Sequence, residues 1–110
     1  MFRREGEYWT IVYENQTIRL HDAKGLIYLA RLLRQPGHPV HVTELAEQSV
    51  DADHASVERA RLAVTKAIKV ALARIAAVHP GLGRHLIVTV RRGYSCVYLP
   101  DPRTPIAWTE

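Results

Sequence analysis

Over residues 8–13, Tyr8, Thr10 and Val12 interleave with Trp9, Ile11 and Tyr13. A period of two is the mark of a strand that buries one face. Glu14-Asn15-Gln16 is polar and predicts a turn, after which residues 17–20 alternate again, so the first part of the chain reads as a β-hairpin. The period then changes. In "AKGLIYLARLLRQPG", Leu26, Leu29, Ala30 and Leu33 recur at helical spacing and predict an amphipathic helix, with Asp22 as its N-cap and Pro36-Gly37 as its stop. Gly25 is an unfavourable residue for its first turn. "HPVHV" is long enough only for a small strand or an extended link. Thr43 is placed to cap a short helix, "ELAEQ", and "SVDADHAS" is polar enough for a turn.

The longest periodic stretch covers residues 56–78. Val57, Val64, Ile68, Ala71 and Ile75 cluster on one side of a helical wheel, with Ala60 and Leu72 at its edges, and this face is the predicted core contact. His79-Pro80-Gly81 ends the helix, and "LGRHL" has room for one further turn. Residues 87–90 and 94–99 are β-branched and aromatic runs on either side of Arg91-Arg92-Gly93, which predicts a second hairpin. The expected order is β-β-α-(β)-α-α-β-β: an α+β domain with an N-terminal hairpin, three helices and a C-terminal hairpin. That is the layout of a winged helix-turn-helix.

The 110 residues suffice for one domain, expected over residues 1–100, with a Pro-rich tail at 101–110. With 47% hydrophobic and 24% charged residues the chain is globular in class, and its net charge of +4 favours polyanionic partners. Cys96 is the only cysteine, which excludes an internal disulfide and suits a small buried hydrophobe. No long apolar segment or targeting pattern stands out, so the expectation is a soluble, cytoplasmic chain with no membrane partner. The six histidines form no H-E-x-x-H or Cys/His pattern, and there is no G-x-x-x-x-G-K-[ST] loop. No nucleophile–base pair or carboxylate dyad emerges, so neither a metal, a cofactor nor an enzymatic activity is expected. Asp51, Asp53 and Glu58 suit the start of a helix, where acidic side chains complement its dipole.

With the apolar stripe of the long helix turned inward, its other face carries Arg59, Leu62, Lys66, Lys69, Val70 and Ala73, with Thr65 beside them. A helix fits the major groove of B-DNA, where Arg, Lys and Thr reach phosphates and base edges and small apolar side chains permit close approach. The N-terminal part of such a helix does most of the reading, which selects Arg59, Leu62, Thr65, Lys66 and Lys69 as candidate contacts. Arg61 falls toward the core side and suits an internal salt bridge. A hairpin does not need two arginines in order to turn. At the tip of a wing, Arg91 and Arg92 would meet phosphates or the adjacent minor groove. The alternative for helix and turn alike is a solvated basic surface, which at a sheet edge also discourages aggregation.

Three phrases carry a family resemblance. "LHDAKGLIYLARLLRQPGHPVHVTELAEQ", "VTKAIKVALARI" and "HLIVTVRRGYSCVYL" resemble, in order and spacing, the first two helices, the recognition helix and the wing of the DNA-binding domain of OmpR/PhoB-type response regulators. The likeness spans residues 20–99. "GEYWT", the "KGLIYLARLLRQPG" stretch and "HPGLGRHL" also resemble winged-helix modules at the C-terminal ends of large bacterial regulatory ATPases. The resemblance implies a transcription regulator whose partner is double-stranded DNA, with a second copy, other domains of a larger protein or RNA polymerase as further partners. One departure stands out. Where the family has a denser basic cluster late in the recognition helix, this chain has "ALARI", with Arg74 alone charged. Leu62 and Val70 on the outer face equally suit a protein-docking module.

Overall fold

The computed structural model describes residues 2–46, 57–101 and 103. The chain runs β1 (Phe2–Glu5), β2 (Tyr8–Tyr13), β3 (Gln16–His21), α1 (Lys24–Arg34), β4 (Val40–His41), α2 (Val42–Ala46), α3 (Val57–Val78), α4 (Pro80–Thr89), β5 (Val90–Arg91) and β6 (Ser95–Tyr98). Among the described residues, four helices and two three-stranded antiparallel sheets make an α+β fold around one apolar core. The Cα radius of gyration is 13.3 Å, close to the roughly 13 Å expected of a compact chain this long.

The expected N-terminal hairpin is the β2–β3 half of a meander, with β1 added along the free edge of β2. Tyr13 pairs with Gln16 across a two-residue turn, and Glu14 and Asn15 take φ of 50° and 64°, as a type I′ turn requires. Gly6, at φ 67°, serves the β1–β2 turn. Phe2, Trp9, Ile11, Ile18 and Leu20 are buried on the sheet's inner face. Tyr8 is on the outer face, where Arg19 lies 5.2 Å over its ring and His21 meets it edge-on.

In α1, the four residues of the apolar stripe are all buried, as are Tyr28 and Leu32. The expected cap is not used. The N-cap position falls on Ala23, which has no side-chain capping bond. Asp22 turns back to the sheet, accepting from Trp9 Nε1 and Arg4 Nη2, each at 2.7 Å. Two stronger charge-assisted or buried partners outcompete one helix N–H. Gly25 is explained by packing: a Cβ there would stand 2.1 Å from the Ala67 carbonyl oxygen, so α1 crosses α3 at a point that only glycine permits.

Two further expectations change. Thr43 does not precede α2 but lies inside it; the ring Nδ1 of His41 accepts from the Thr43 backbone N–H at 3.3 Å and lies 2.9 Å from its hydroxyl. Residues 87–89, expected as a strand, belong to α4, a helix of ten residues where one turn was foreseen. Pro80 sits in its first turn and His79 caps it, Nδ1 accepting from Leu82 N at 3.1 Å. Leu82 and Leu86 go into the core, and Gly83 lies against Ala76 of α3, where a Cβ would stand 2.5 Å from the alanine's own. That helical stripe overrides the β propensity of Ile87 and Val88, which stay 51% and 68% exposed. The hairpin is correspondingly short: Val90 pairs with Tyr98 and Arg91 with Val97, while β6 also pairs with β4 through Val40–Cys96 and His41–Ser95. The last two residues of the expected "ELAEQ" helix, the polar turn expected at 49–56, and the tail at 102 and from 104 onward lie outside the described residues.

Candidate nucleic-acid interface

The 22 residues of α3 carry the candidate face. Ala60, Val64, Ile68, Ala71, Leu72 and Ile75 are buried, as the wheel requires, whereas Val57 is 44% exposed in the first turn and is not a core residue. Arg59, Leu62, Lys66, Lys69, Val70 and Ala73 are all exposed. Neither Lys66 nor Lys69 forms an ion pair with another described residue. Thr65 departs from the expected set: it is half-buried, its Oγ1 is shut off from solvent, and the hydroxyl is not presented beside the lysines. Arg74, the one cation of "ALARI", is engaged by the protein itself, donating from Nη2 to the His21 carbonyl at 3.0 Å. The accessible cations of the candidate face therefore lie between Arg59 and Lys69, within the first thirteen residues of the helix.

Arg91 and Arg92 are both exposed. Arg91 closes β5 opposite Val97, and Arg92 opens the turn that leads to β6. The turn is attached at two places. Its backbone is held from below by Val42 N, which donates to the Tyr94 carbonyl at 2.9 Å. Its side chain is held by α3: the Tyr94 hydroxyl donates to Glu58 Oε2 at 2.7 Å. Arg61 completes this contact, pairing with the same carboxylate through Nε and Nη2 while its guanidinium lies 5.4 Å over the Tyr94 ring. The basic turn is thus joined to the first turn of α3 through Tyr94, three and two residues on from Arg91 and Arg92. At 1.5 Å per residue, Lys66 and Lys69 follow along the helix about 12 and 16 Å beyond Glu58.

The electrostatics follow from this contact. Hydrogen bonds from Arg61 and then Tyr94 hold the Glu58 carboxyl at about 2, well below the usual carboxylate range, so it stays ionised. The same carboxylate pushes the Tyr94 phenol up. Burial pushes the Cys96 thiol up, which keeps it protonated and in line with its expected place in the core. Among the described residues, no group of three or more His, Cys, Asp and Glu side chains is gathered for a metal ion. No described helix is long and apolar enough to cross a membrane.

Arg61 forms the internal salt bridge its place on the wheel suggested. The part of Tyr94 was not foreseen, because its partner lies 36 residues away and no local pattern announces such a contact. A surface hollow lined by Phe2, Arg3, Arg4, Trp9, Ala30 and Arg34 lies elsewhere, at the β1 edge, and another lies along α4 and includes Arg84, Val88 and Asp101. No protein-family model, curated protein or solved structure matches this chain.

Proposed function

We propose that this chain is a winged-helix DNA-binding module of a bacterial transcription regulator, with α3 entering the major groove and the β5–β6 hairpin serving as the wing. The observation that carries the reading is the attachment of the Arg91–Arg92 turn to the head of α3, beside an exposed face bearing Arg59, Lys66 and Lys69. Phosphate contacts from these cations would position the module, and α3 would supply sequence preference. With the Thr65 hydroxyl turned away, Leu62 remains as an outward, uncharged candidate contact, and an apolar side chain suits a thymine methyl. With few exposed cations, one copy alone belongs in the non-specific range, a Kd of roughly 10⁻⁴ to 10⁻⁶ M at physiological salt. Pairing with a second copy, or tethering to further domains of a larger protein, would raise it. The role is one of binding and needs neither cofactor nor catalysis.

Titration of the protein into fluorescent random-sequence duplex DNA at two salt concentrations tests this. Binding should weaken steeply with salt and fall at least tenfold when Arg91 and Arg92 are both replaced by alanine, with no change in the thermal melt. Lys66→Ala should lower the salt slope by about 0.9. No binding at low salt overturns the reading.

A second reading is a docking module for a protein such as RNA polymerase. Leu62 and Val70, 56% and 50% exposed among the cations of α3, favour it. Its mark is association that persists as salt rises.

A further inference from the structure

Tyr94, Glu58 and Arg61 make more contacts than a solvated turn requires. The β5–β6 ladder has only two residue pairs, Val90–Tyr98 and Arg91–Val97, and a ribbon that short does not hold its own tip still. The backbone bond from Val42 fixes where Tyr94 begins but not where the turn points relative to α3. The side chain does that. The hydroxyl reaches Glu58, both Arg61 groups bind the same carboxylate, and the guanidinium covers the ring, so each member limits the rotation of the other two. On the wheel, Glu58, Arg61 and Thr65 form the flank between the buried stripe and the exposed face, so the joint borders the DNA-facing surface without occupying it.

We infer that Tyr94, acting through Glu58 and Arg61, is the positioning residue that locks the basic turn in register with the exposed face of α3, so that a duplex meets one rigid cationic surface. The inference rests on the DNA-binding reading. Without the lock, the arginine pair and the helix lysines would be ordered separately on binding, and each would lose conformational freedom at that moment. The joint also keeps the Glu58 charge occupied by Arg61 and Tyr94, which reduces its repulsion of nearby phosphate.

Tyr94→Phe is the deciding variant. It keeps the ring under Arg61, changes no charge and leaves the long-range field as it was; Glu58→Gln, by contrast, removes a negative charge that itself opposes DNA. Because Tyr94 is 55% exposed, the fold should survive, and the thermal melt checks this. Affinity for the random duplex should fall about three- to tenfold, the share of one ordinary net hydrogen bond. The salt slope should stay near the wild-type value, since no phosphate contact is removed.

A double-mutant cycle separates positioning from a purely structural role. Replacing Arg91 and Arg92 by alanine should cost less affinity in the Tyr94→Phe background than in the wild type. Additive losses, or a Tyr94→Phe protein that binds as the wild type does, would overturn the lock while leaving the DNA reading intact. A wild-type chain that binds no duplex overturns both. If the Tyr94→Phe melt shifts strongly, Arg61→Lys serves instead. It keeps the charge but not the forked, planar contact, and the same coupling with the arginine pair is expected.

Discussion

The two sheets of this protein have the same number of strands and opposite construction. In the first, β1, β2 and β3 follow one another within twenty residues, pair with their neighbours in sequence and close through two-residue turns. In the second, β4 comes from residues 40–41 and must meet β6 and β5 from residues 90–98, with three helices between. The β2–β3 pair of the first is specified by its own alternation and turn, and β1 joins it through the turn at Gly6. The second is short and forms because α2, α3 and α4 deliver its strands to one place, with Gly37 N, Val42 N and Leu99 N bonding to Tyr98, Tyr94 and Thr89 carbonyls at its margins. Of the candidate DNA contacts, Arg91 and Arg92 belong to this delivered sheet and the others to α3, so how the two groups sit together is inherited from helix packing.

Three perturbations probe that contrast. The largest effect is expected from Ile68→Asp. Ile68 is fully buried on the face of α3 that supports both halves, and an unpaired carboxylate there should cost several kcal/mol, about the whole stability of a marginal domain. Far-UV circular dichroism and thermal melting should show no cooperative fold; a folded Ile68→Asp protein would show that α3 is not the common support.

Next comes Gly83→Val. The new side chain would overlap Ala76 and force α4 off α3, at a cost of about 1–3 kcal/mol or more. Hydrogen exchange should quicken in β5 and β6 before it does in β2 and β3. Uniform loss of protection across both sheets would mean that the second sheet has no separate dependence on the helices.

The smallest effect concerns pH. His85 of α4 lies 2.8 Å from the Tyr98 hydroxyl of β6 and stacks on Tyr13 of the first sheet. Burial lowers its pKa, with Glu14 offsetting part of the shift. A histidine whose folded pKa lies below its unfolded one favours the fold in its neutral form. That contribution is present above about pH 6.5 and is lost as the pH falls through the folded value. The melting temperature should therefore drop between pH 7.5 and 5, and less so in His85→Gln. An unchanged slope in the variant would remove His85 from the account.

How much of this could be read in advance differs from element to element. The β2–β3 hairpin follows from alternation and a polar turn, and α1 and α3 from their apolar stripes. β1 was missed because in "FRRE" only Phe2 is buried, which leaves no alternation to detect. The exposed Lys66 and Lys69 followed from the stripe opposite them. Thr65 was misjudged because a wheel assigns a residue to a face but does not say which way a hydroxyl at the margin will turn. Ile87 and Val88 misled more seriously, since β-branched residues report a local preference and α4 is decided by what Leu82, Gly83 and Leu86 touch.

The amino-acid sequence by itself determined the features that depend on near neighbours: the period of each apolar stripe, the turn at Glu14-Asn15, the breaks at Pro36-Gly37 and His79-Pro80, and the excess of positive charge. Tertiary structure decided whatever depends on residues far apart in the chain. It set the glycine contacts that let α1 and α4 approach α3, the diversion of Asp22 from a helix cap to Trp9 and Arg4, and the Tyr94–Glu58–Arg61 joint beside the basic turn. The physical reason is range. Periodicity and turn chemistry act over a few residues, whereas close packing and the satisfaction of buried polar groups are settled only when distant segments compete for the same partner.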